Sequence, residues 1–530
     1  MRSLGPIIAV LLGAILAGHL ILFTVALGIS NAWSLPSANE LVYLVYLEKA
    51  WNPELLAWDW TFAGALPGHE VFNLVFGLPT LLLPVEALGW IGRLATWSLA
   101  LAALLRLGRC FGLGSWHSAG LVLTWLAAGQ ALVGWDWIIG DFEAKAVAYP
   151  LLLWAVAGVL EGRAVPAALL GGLAFTFHTT IGLWGALALG VGYLATTPSP
   201  RRVARGAAAL LLGALPGAMA LASMLRSAVP PKPETWRFLV RVQQPHHLDP
   251  FAFPWPHVLA IFLLLTFNGL HAWRHRDDSR FRFLLGFEGA LGASFALGLA
   301  LRGLAGYSLL PLQPIRLAPV LLPLLFFFHA AHAWATAPGR GARGRVAAVV
   351  GLALITLGSA HVRLVREIGA TYSVSSAGNE PLQQTFAWLA VHTAPDSTVI
   401  LPPWRKDTFY LARRAQVANW HVARADRLDE WRQRIEALVG DLTPFESEPG
   451  AGGSGRRRLF EHMDHAYHRL TESALASIAS RYGGEYLVSR TSYSYPVLFQ
   501  SGAYRVYRLP PVAATSGAGG GVGAAGAPLR

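Results

Sequence analysis

Cysteine is nearly missing from this chain: Cys110 stands alone among 530 residues, which excludes an intramolecular disulfide and any metal site built from several thiolates. Charge is scarce as well. Charged residues make up 14% and hydrophobic residues 54%, whereas an ordinary globular domain is about a quarter charged. No Gly-x-x-x-x-Gly-Lys-Ser/Thr run is present, so nothing supports ATP-driven transport, and no Gly-x-Ser-x-Gly elbow marks a serine hydrolase. The formal charge of +12 would point to nucleic acid in a soluble protein. Here the arginines sit largely in short loops between apolar runs and read as topology determinants, so no nucleic-acid partner is expected.

What the chain does have is apolar runs of membrane length. Ile7 to Gly28 exceeds the ~20 residues that cross a bilayer, and comparable runs recur until about Val365. Arg2 precedes the first run as in a secretory signal, but the run is longer than a signal's apolar region and no clear cleavage site closes it before Ser34-Leu35-Pro36. Runs at 7–28, 87–105, 117–133, 146–160, 164–177, 179–195, 207–224, 255–273, 283–301, 310–334 and 346–362 predict about eleven spans. Between alternate runs lie Arg106 and Arg109, then Arg163, then Arg201, Arg202 and Arg205, then Arg274 to Arg282, then Arg340 to Arg345. The positive-inside rule makes that side cytoplasmic, together with the N-terminus. The opposite loops are longer and carry Glu40, Glu48, Glu54, Asp59, Glu70, Asp136, Asp141 and Glu143. Phe72 to Pro84, broken by Gly77, Pro79 and Pro84, is then re-entrant or interfacial, and an odd number of crossings puts the C-terminal domain outside.

From about Asn379 the pattern becomes that of a soluble domain. Leu382, Phe386 and Leu389 recur at helical spacing, Thr398 to Leu401 is a short β-rich run, and Leu428 to Val439 and Leu459 to Tyr482 read as helices. Ser447 to Arg458 reads as a Gly-rich basic loop, and Glu485 to Ser489 with Ala503 to Leu509 as paired strands. The division expected is a transmembrane part over 1–366, a small α/β domain over 379–510, and a disordered Gly/Ala/Ser/Pro tail over 511–530.

Two outer loops concentrate the polar chemistry. The first reads Asn39-Glu40-Leu41-Val42-Tyr43 and continues through Trp51-Asn52-Pro53 to Trp58-Asp59-Trp60; Glu40, Tyr43 and Leu47 share one helical face. A carboxylate among aromatics at a membrane surface suits a general base, while the plainer readings make Glu40 a helix cap and Asp59 part of an interfacial turn. The second loop reads Gly134-Trp135-Asp136-Trp137 and then Gly140-Asp141-Phe142-Glu143-Ala144-Lys145, leading straight into a span. Acids and a lysine there must pair or bind something polar; Asp141 as a helix N-cap and Lys145 paired with an acid would satisfy that. Asp141 and Glu143 could also hold a divalent cation, with Asp59 or His178 completing the coordination. His178 lies at the turn of a short hairpin and His246-His247 in an outer loop, where polar loop residues are the plainer reading. Arg302 and Arg316 lie near the outer ends of spans and must snorkel or meet an anion, a lipid phosphate being the one available.

Taken together, these loops resemble the GT-C class of membrane glycosyltransferases, whose bacterial members include protein mannosyltransferase-like and aminoarabinose transferase-like enzymes. The resemblance rests on the acid-bearing helix after the first span (Asn39, Glu40, Tyr43 through Asp59), the acidic motif Gly140 to Lys145, the Phe177-His178 turn, and an outer domain running from Trp388 through Pro402-Pro403-Trp404. It looks most like a bacterial branch whose last domain carries that Pro-Pro-Trp turn, an Asn419-Trp420 strand end and a Glu430-Trp431-x-x-Arg434 helix. The resemblance implies a polytopic α-helical protein of the bacterial inner (cell) membrane. It would transfer a sugar, with inversion, from a polyprenyl-phosphate donor to a glycan, lipid or protein acceptor on the extracytoplasmic side.

In that scheme a first-loop carboxylate, Glu40 or Asp59, removes the acceptor proton. Tyr43, Asp141, Glu143, Lys145, His178, Arg302, Arg316 and Trp404 are the expected substrate-binding residues. The common family form has an Asp-Glu pair after the first span; Asn39-Glu40 departs from it and leaves the base open between Glu40 and Asp59. A transporter or flippase of lipid-linked glycans should instead place acids at the midplane of spans, and a non-catalytic envelope assembly protein would not need its loop acids to converge.

Overall fold

The structure is a computed structural model that describes residues 36, 39–62, 69–134, 136–304, 307–336, 380–424, 426–446 and 453–511. The expected first span at 7–28, the eleventh at 346–362 and nearly all of the tail lie outside these. The other nine expected runs are all helical. Five helices are long and apolar enough to cross a membrane: Val85–Cys110, Pro200–Ser227, Trp255–Arg274, Ser279–Leu304 and Ala318–Thr336. Ser115–Ala128, Ala144–Leu160, Ala164–Phe177 and Thr179–Ala195 are shorter, so a count of eleven full spans is not what the described residues show.

The reading of a hairpin turning at His178 holds: Ala164–Phe177 and Thr179–Ala195 are separated by that single residue. Backbone contact joins the first of these to the Pro200–Ser227 helix, where a Cβ on Gly172 would meet the Leu210 carbonyl oxygen at 2.2 Å and one on Gly213 the Leu169 oxygen at 2.4 Å. Small residues at such a crossing replace the hydrophobic drive that lipid does not supply. The outward face of Pro200–Ser227 carries exposed Leu211, Leu212, Leu215 and Met219, as a lipid-facing helix would. Phe72 to Pro84 forms the Glu70–Gly77 helix and a 3-10 turn over Leu78–Leu81. At 1.5 Å per residue these twelve residues span about 18 Å, well short of a hydrocarbon core of about 30 Å, and Leu74, Leu78, Leu81 and Leu82 are exposed along them.

Three of the arginine-bearing turns meet at one end of the bundle. Arg106 donates to Glu161 at 2.7 Å, and Arg280 donates to the Cys110 carbonyl at 2.9 Å. The acid-bearing loops lie on the other end, against the C-terminal domain.

That domain is built on five strands, β1 (Thr398–Ile400), β2 (Ala415–Gln416), β3 (Gly484–Ser489), β4 (Val497–Ser501) and β5 (Tyr504–Arg508), in the order β2-β1-β3-β5-β4. β1 runs parallel to both neighbours; β3, β5 and β4 are antiparallel. The alternation of strand residues divides the core. Val399, Tyr486, Val488 and Val506 pack against Leu382, Phe386 and Leu389, while Ile400, Leu487 and Tyr507 face Trp431, Met463 and Leu475. Phe238 and Val242, from the loop after the Pro200–Ser227 helix, belong to this second core, so the domain is packed onto that loop rather than tethered beside it.

Three local expectations change. Leu459 to Tyr482 is two helices, Gly453–Tyr467 and Glu472–Tyr482, because the Thr471 hydroxyl caps the second by accepting from the Ala474 amide at 3.2 Å. Residues 453–458 of the expected basic loop are helical. β4 was not anticipated, since its edge position leaves it mostly exposed and without a clear apolar alternation.

Candidate functional site

The Gly129–Glu143 loop is held in shape by one buried side chain. Gln130 accepts from the Ile138 and Ile139 amides, both at 2.8 Å, and donates to the Ile139 carbonyl at 2.6 Å. The Leu132 amide donates to the Pro319 carbonyl at 3.1 Å, which brings the loop against the start of the Ala318–Thr336 helix. Asp136 therefore meets Arg316. The Arg316 Nε donates to Asp136 Oδ2 at 2.8 Å, Lys145 Nζ lies 2.9 Å from Asp136 Oδ1, and the Tyr149 hydroxyl donates to Oδ2 at 2.9 Å. Lys145 also pairs with Glu143 at 3.1 Å and stands 3.2 Å from the centroid of the Trp137 ring.

This buried network reaches outward in two directions. On one side Arg316 donates to Gln313 at 2.5 Å, and Thr180 bridges Gln313 at 3.4 Å to His178 at 3.2 Å. His178 packs edge-on against His69, which in turn packs against Tyr43. On the other side Asn39 donates to Glu143 at 3.5 Å and accepts from Lys406 of the C-terminal domain at 3.0 Å. First loop, second loop, hairpin turn and outer domain thus share one polar assembly.

Its electrostatics follow from burial beside charge. Burial alone would raise Asp136, but Arg316 and Lys145 outweigh it and hold the carboxyl well below the usual range. Burial, aided by Arg316 and Lys145, lowers His69 to about 4, and burial with Arg316 lowers His178. Burial and then Glu143 push the Tyr43 hydroxyl well above 10. At the domain junction, burial and then Arg456 lower both Lys406 and His246, the latter to about 3. Lys406, Arg456 and His246 thus lie within electrostatic reach of one another, with Glu143 and Asp141 also acting on Lys406, a region able to meet an anion.

Glu40 lies below this junction and is wholly buried. Arg93, from the Val85–Cys110 helix, grips both its carboxylate oxygens, and the Phe142 amide donates to it at 2.7 Å. It does not cap its helix; Asn39 holds the cap position, with no side-chain cap bond. Asp141 does not cap its helix either. Glu143 occupies that position, and Asp141 instead stands 3.8 Å from Arg93 with its carboxylate 14% exposed. The snorkelling reading of Arg316 fails, because its side chain is directed into the protein onto Asp136.

Tyr43, Asp141, Glu143, Lys145, His178 and Arg316 are thus brought into one neighbourhood, with Glu40 joined through Arg93. Three expected residues make other contacts. Asp59 accepts from the Thr61, Phe62 and Gln416 amides at 2.7, 3.3 and 2.8 Å, fastening the first loop to β2. Arg302 pairs with Asp249 at 3.4 Å and lies over Phe251 and Tyr307. Trp404 packs on Tyr467 and His468 within the outer domain. Among the described residues, Asp59, Asp141 and Glu143 do not form a group able to share one metal ion.

Arg93, Lys406 and His69 join the assembly without having stood out in the sequence, whereas Asp136 was among the second-loop acids that had to find a partner. The signal for Arg93 was present: a lone arginine nine residues into the run from Val85 has to find an acid.

No family model matches the chain, and no curated protein matches it by sequence. It is similar in structure to the arabinofuranosyltransferase AftD from Mycobacteria. That likeness has a TM-score of 0.47 at 16% identity and covers 93% of this chain but only 41% of AftD.

Proposed function

We propose that this protein is a membrane glycosyltransferase of the GT-C kind, moving a sugar from a polyprenyl-phosphate donor to an acceptor hydroxyl at the end of the bundle that carries the acidic loops. The positive-inside rule makes that end extracytoplasmic. The observation that supports this most directly is a partly exposed acid, Asp141, within electrostatic reach of Lys406, a lysine that also feels Arg456, where apolar helices meet a polar domain. Lys406 interacts with Asp141 and Glu143 as well as with Arg456, so acid and cations lie within electrostatic reach of each other.

The roles divide by exposure. Glu40 and Asp59, the acids that the sequence favoured as bases, are tied up by Arg93 and by three backbone amides. Asp141 is the most exposed acid of the second loop, its carboxylate 14% exposed against 4% for Glu143 and 3% for Asp136. It accepts the acceptor's hydroxyl proton as that oxygen bonds to the anomeric carbon; the anomeric carbon–oxygen bond to phosphate breaks, and polyprenyl phosphate departs with the electron pair. Lys406 and Arg456 stabilise the charge gathering on that phosphate. Glu40 acts through Arg93, fixing the guanidinium that faces Asp141.

Purified protein in nanodiscs, given a panel of pentosyl and hexosyl polyprenyl phosphates, should release polyprenyl phosphate and form a glycoside. Lys406→Gln should weaken binding of polyprenyl phosphate and reduce its salt dependence. Equal affinity in parent and variant would remove the junction from the donor site.

A further inference from the structure

The end of the bundle away from the acidic loops carries a second cluster that the glycosyltransferase reading does not use. His271 and His275, one helical turn apart at the end of Trp255–Arg274, face His332 near the end of Ala318–Thr336. One ring nitrogen from each of the three lies within 4.8 Å of the other two. His271 Nε2 and His332 Nδ1 are 3.1 Å apart. A tetrahedral ion with metal–nitrogen bonds of 2.0–2.1 Å needs ligand nitrogens about 3.3 Å from each other. One pair already has that spacing. His275 lies just past its helix, at the C-cap, with its ring packed against those of His271, Phe281 and His332.

The surroundings define the ion. Phe281 forms an apolar floor, with its ring centroid 5.6, 5.2 and 4.9 Å from those of His271, His275 and His332. Asp278, the nearby acid, is occupied by Arg280 at 2.8 Å. Three imidazoles with no thiolate and no free carboxylate suit borderline divalent ions of the zinc and nickel type rather than calcium or magnesium. Deeper in the bundle His329 packs edge-on against His271 at 5.1 Å and bonds Glu288 at 2.9 Å, an acid–histidine pair buried between two helices.

We propose that His271, His275 and His332 form a site for one zinc-class divalent ion, with the fourth position open to water or a small ligand. The ion would pin the Trp255–Arg274 helix to the Ala318–Thr336 helix at the arginine-rich end. It is separate from the candidate transfer site: from Ala318 to His332 is fourteen residues, about 21 Å of helix.

The test uses the untagged full-length protein in detergent, stripped with chelator and titrated with Co2+ as a spectroscopic probe and Zn2+ as competitor. One equivalent of Co2+ should produce visible d–d bands, displaced by Zn2+, and Zn2+ should raise the melting temperature. His332→Gln and His275→Ala should each weaken binding at least tenfold, while His246→Gln with His247→Gln should leave it unchanged. His275 is half-exposed, so its variant retains the packing that His271 provides. Absence of saturable binding by the parent protein overturns the proposal, as does unchanged affinity in folded His275→Ala.

Discussion

Glu40 and Arg93 stand 53 residues apart in the chain, yet the guanidinium of one holds both carboxylate oxygens of the other in complete burial. This pair fastens the first outer helix to the Val85–Cys110 helix, and the Phe142 amide on the same carboxylate brings in the second loop. Removing one partner leaves an uncompensated buried charge. Arg93→Met should therefore destabilise the protein by about 3–5 kcal/mol, and adding Glu40→Gln should recover part of that loss. Thermal unfolding of the single and double variants in one detergent measures the coupling; additive losses would mean that the two side chains do not act as a pair.

Asp141→Asn keeps the side chain's size and removes its basicity. Sugar transfer should fall by roughly 10^2- to 10^4-fold with the protein still folded. Glu40→Gln should show mainly a loss of stability. Reversal of these two results would return the base to the first loop.

Arg316 satisfies Asp136 and Gln313 at once, through Nε and a terminal nitrogen. A lysine presents a single point charge and cannot serve both, so Arg316→Lys should cost about 1–3 kcal/mol of stability, the range for a hydrogen bond to a charged group. Chemical denaturation monitored by tryptophan fluorescence checks this, and an unchanged midpoint would place Arg316 outside the network.

Asp59 gives a pH dependence with a definite sign. Burial raises its carboxyl from 3.8 to about 6 despite the backbone amides that hold it. The folded state thus binds a proton that the unfolded chain has lost between pH 6 and pH 4. Stability from this group rises as pH falls from about 6 to about 4, by at most ~3 kcal/mol, and changes no further below that. The neutral buried His69 and His246 act oppositely, losing stability as pH falls below 6.5. The difference in melting temperature between the parent protein and Asp59→Asn isolates the Asp59 contribution, and it should grow in the parent's favour on acidification. A flat difference between pH 7 and pH 4 would contradict the assignment.

The sequence by itself determined the helices and the ends they expose. A chain so poor in charge must hide its backbone polar groups inside helices wherever water is excluded, and each apolar run in the described part is helical for that reason. Periodicity alone located β3 and β5 and the Leu428–Val439 helix, because alternation and helical spacing are local properties. It also marked Asp141, Glu143, Lys145 and Arg316 as residues needing partners. Which partner each one meets was decided only by tertiary structure. Arg93 chooses Glu40, Arg316 chooses Asp136, Asp59 chooses the Gln416 amide, and Lys406 reaches Asn39 across 367 positions. Ion pairing depends on distances of a few ångströms, and those are fixed by how helices cross and how the outer domain seats on the loops. The same limit hid the histidine cluster: the spacing of His271 and His275 was visible in the chain, but His332 lies 61 positions from His271, and only the packing of two helices puts their nitrogens 3.1 Å apart.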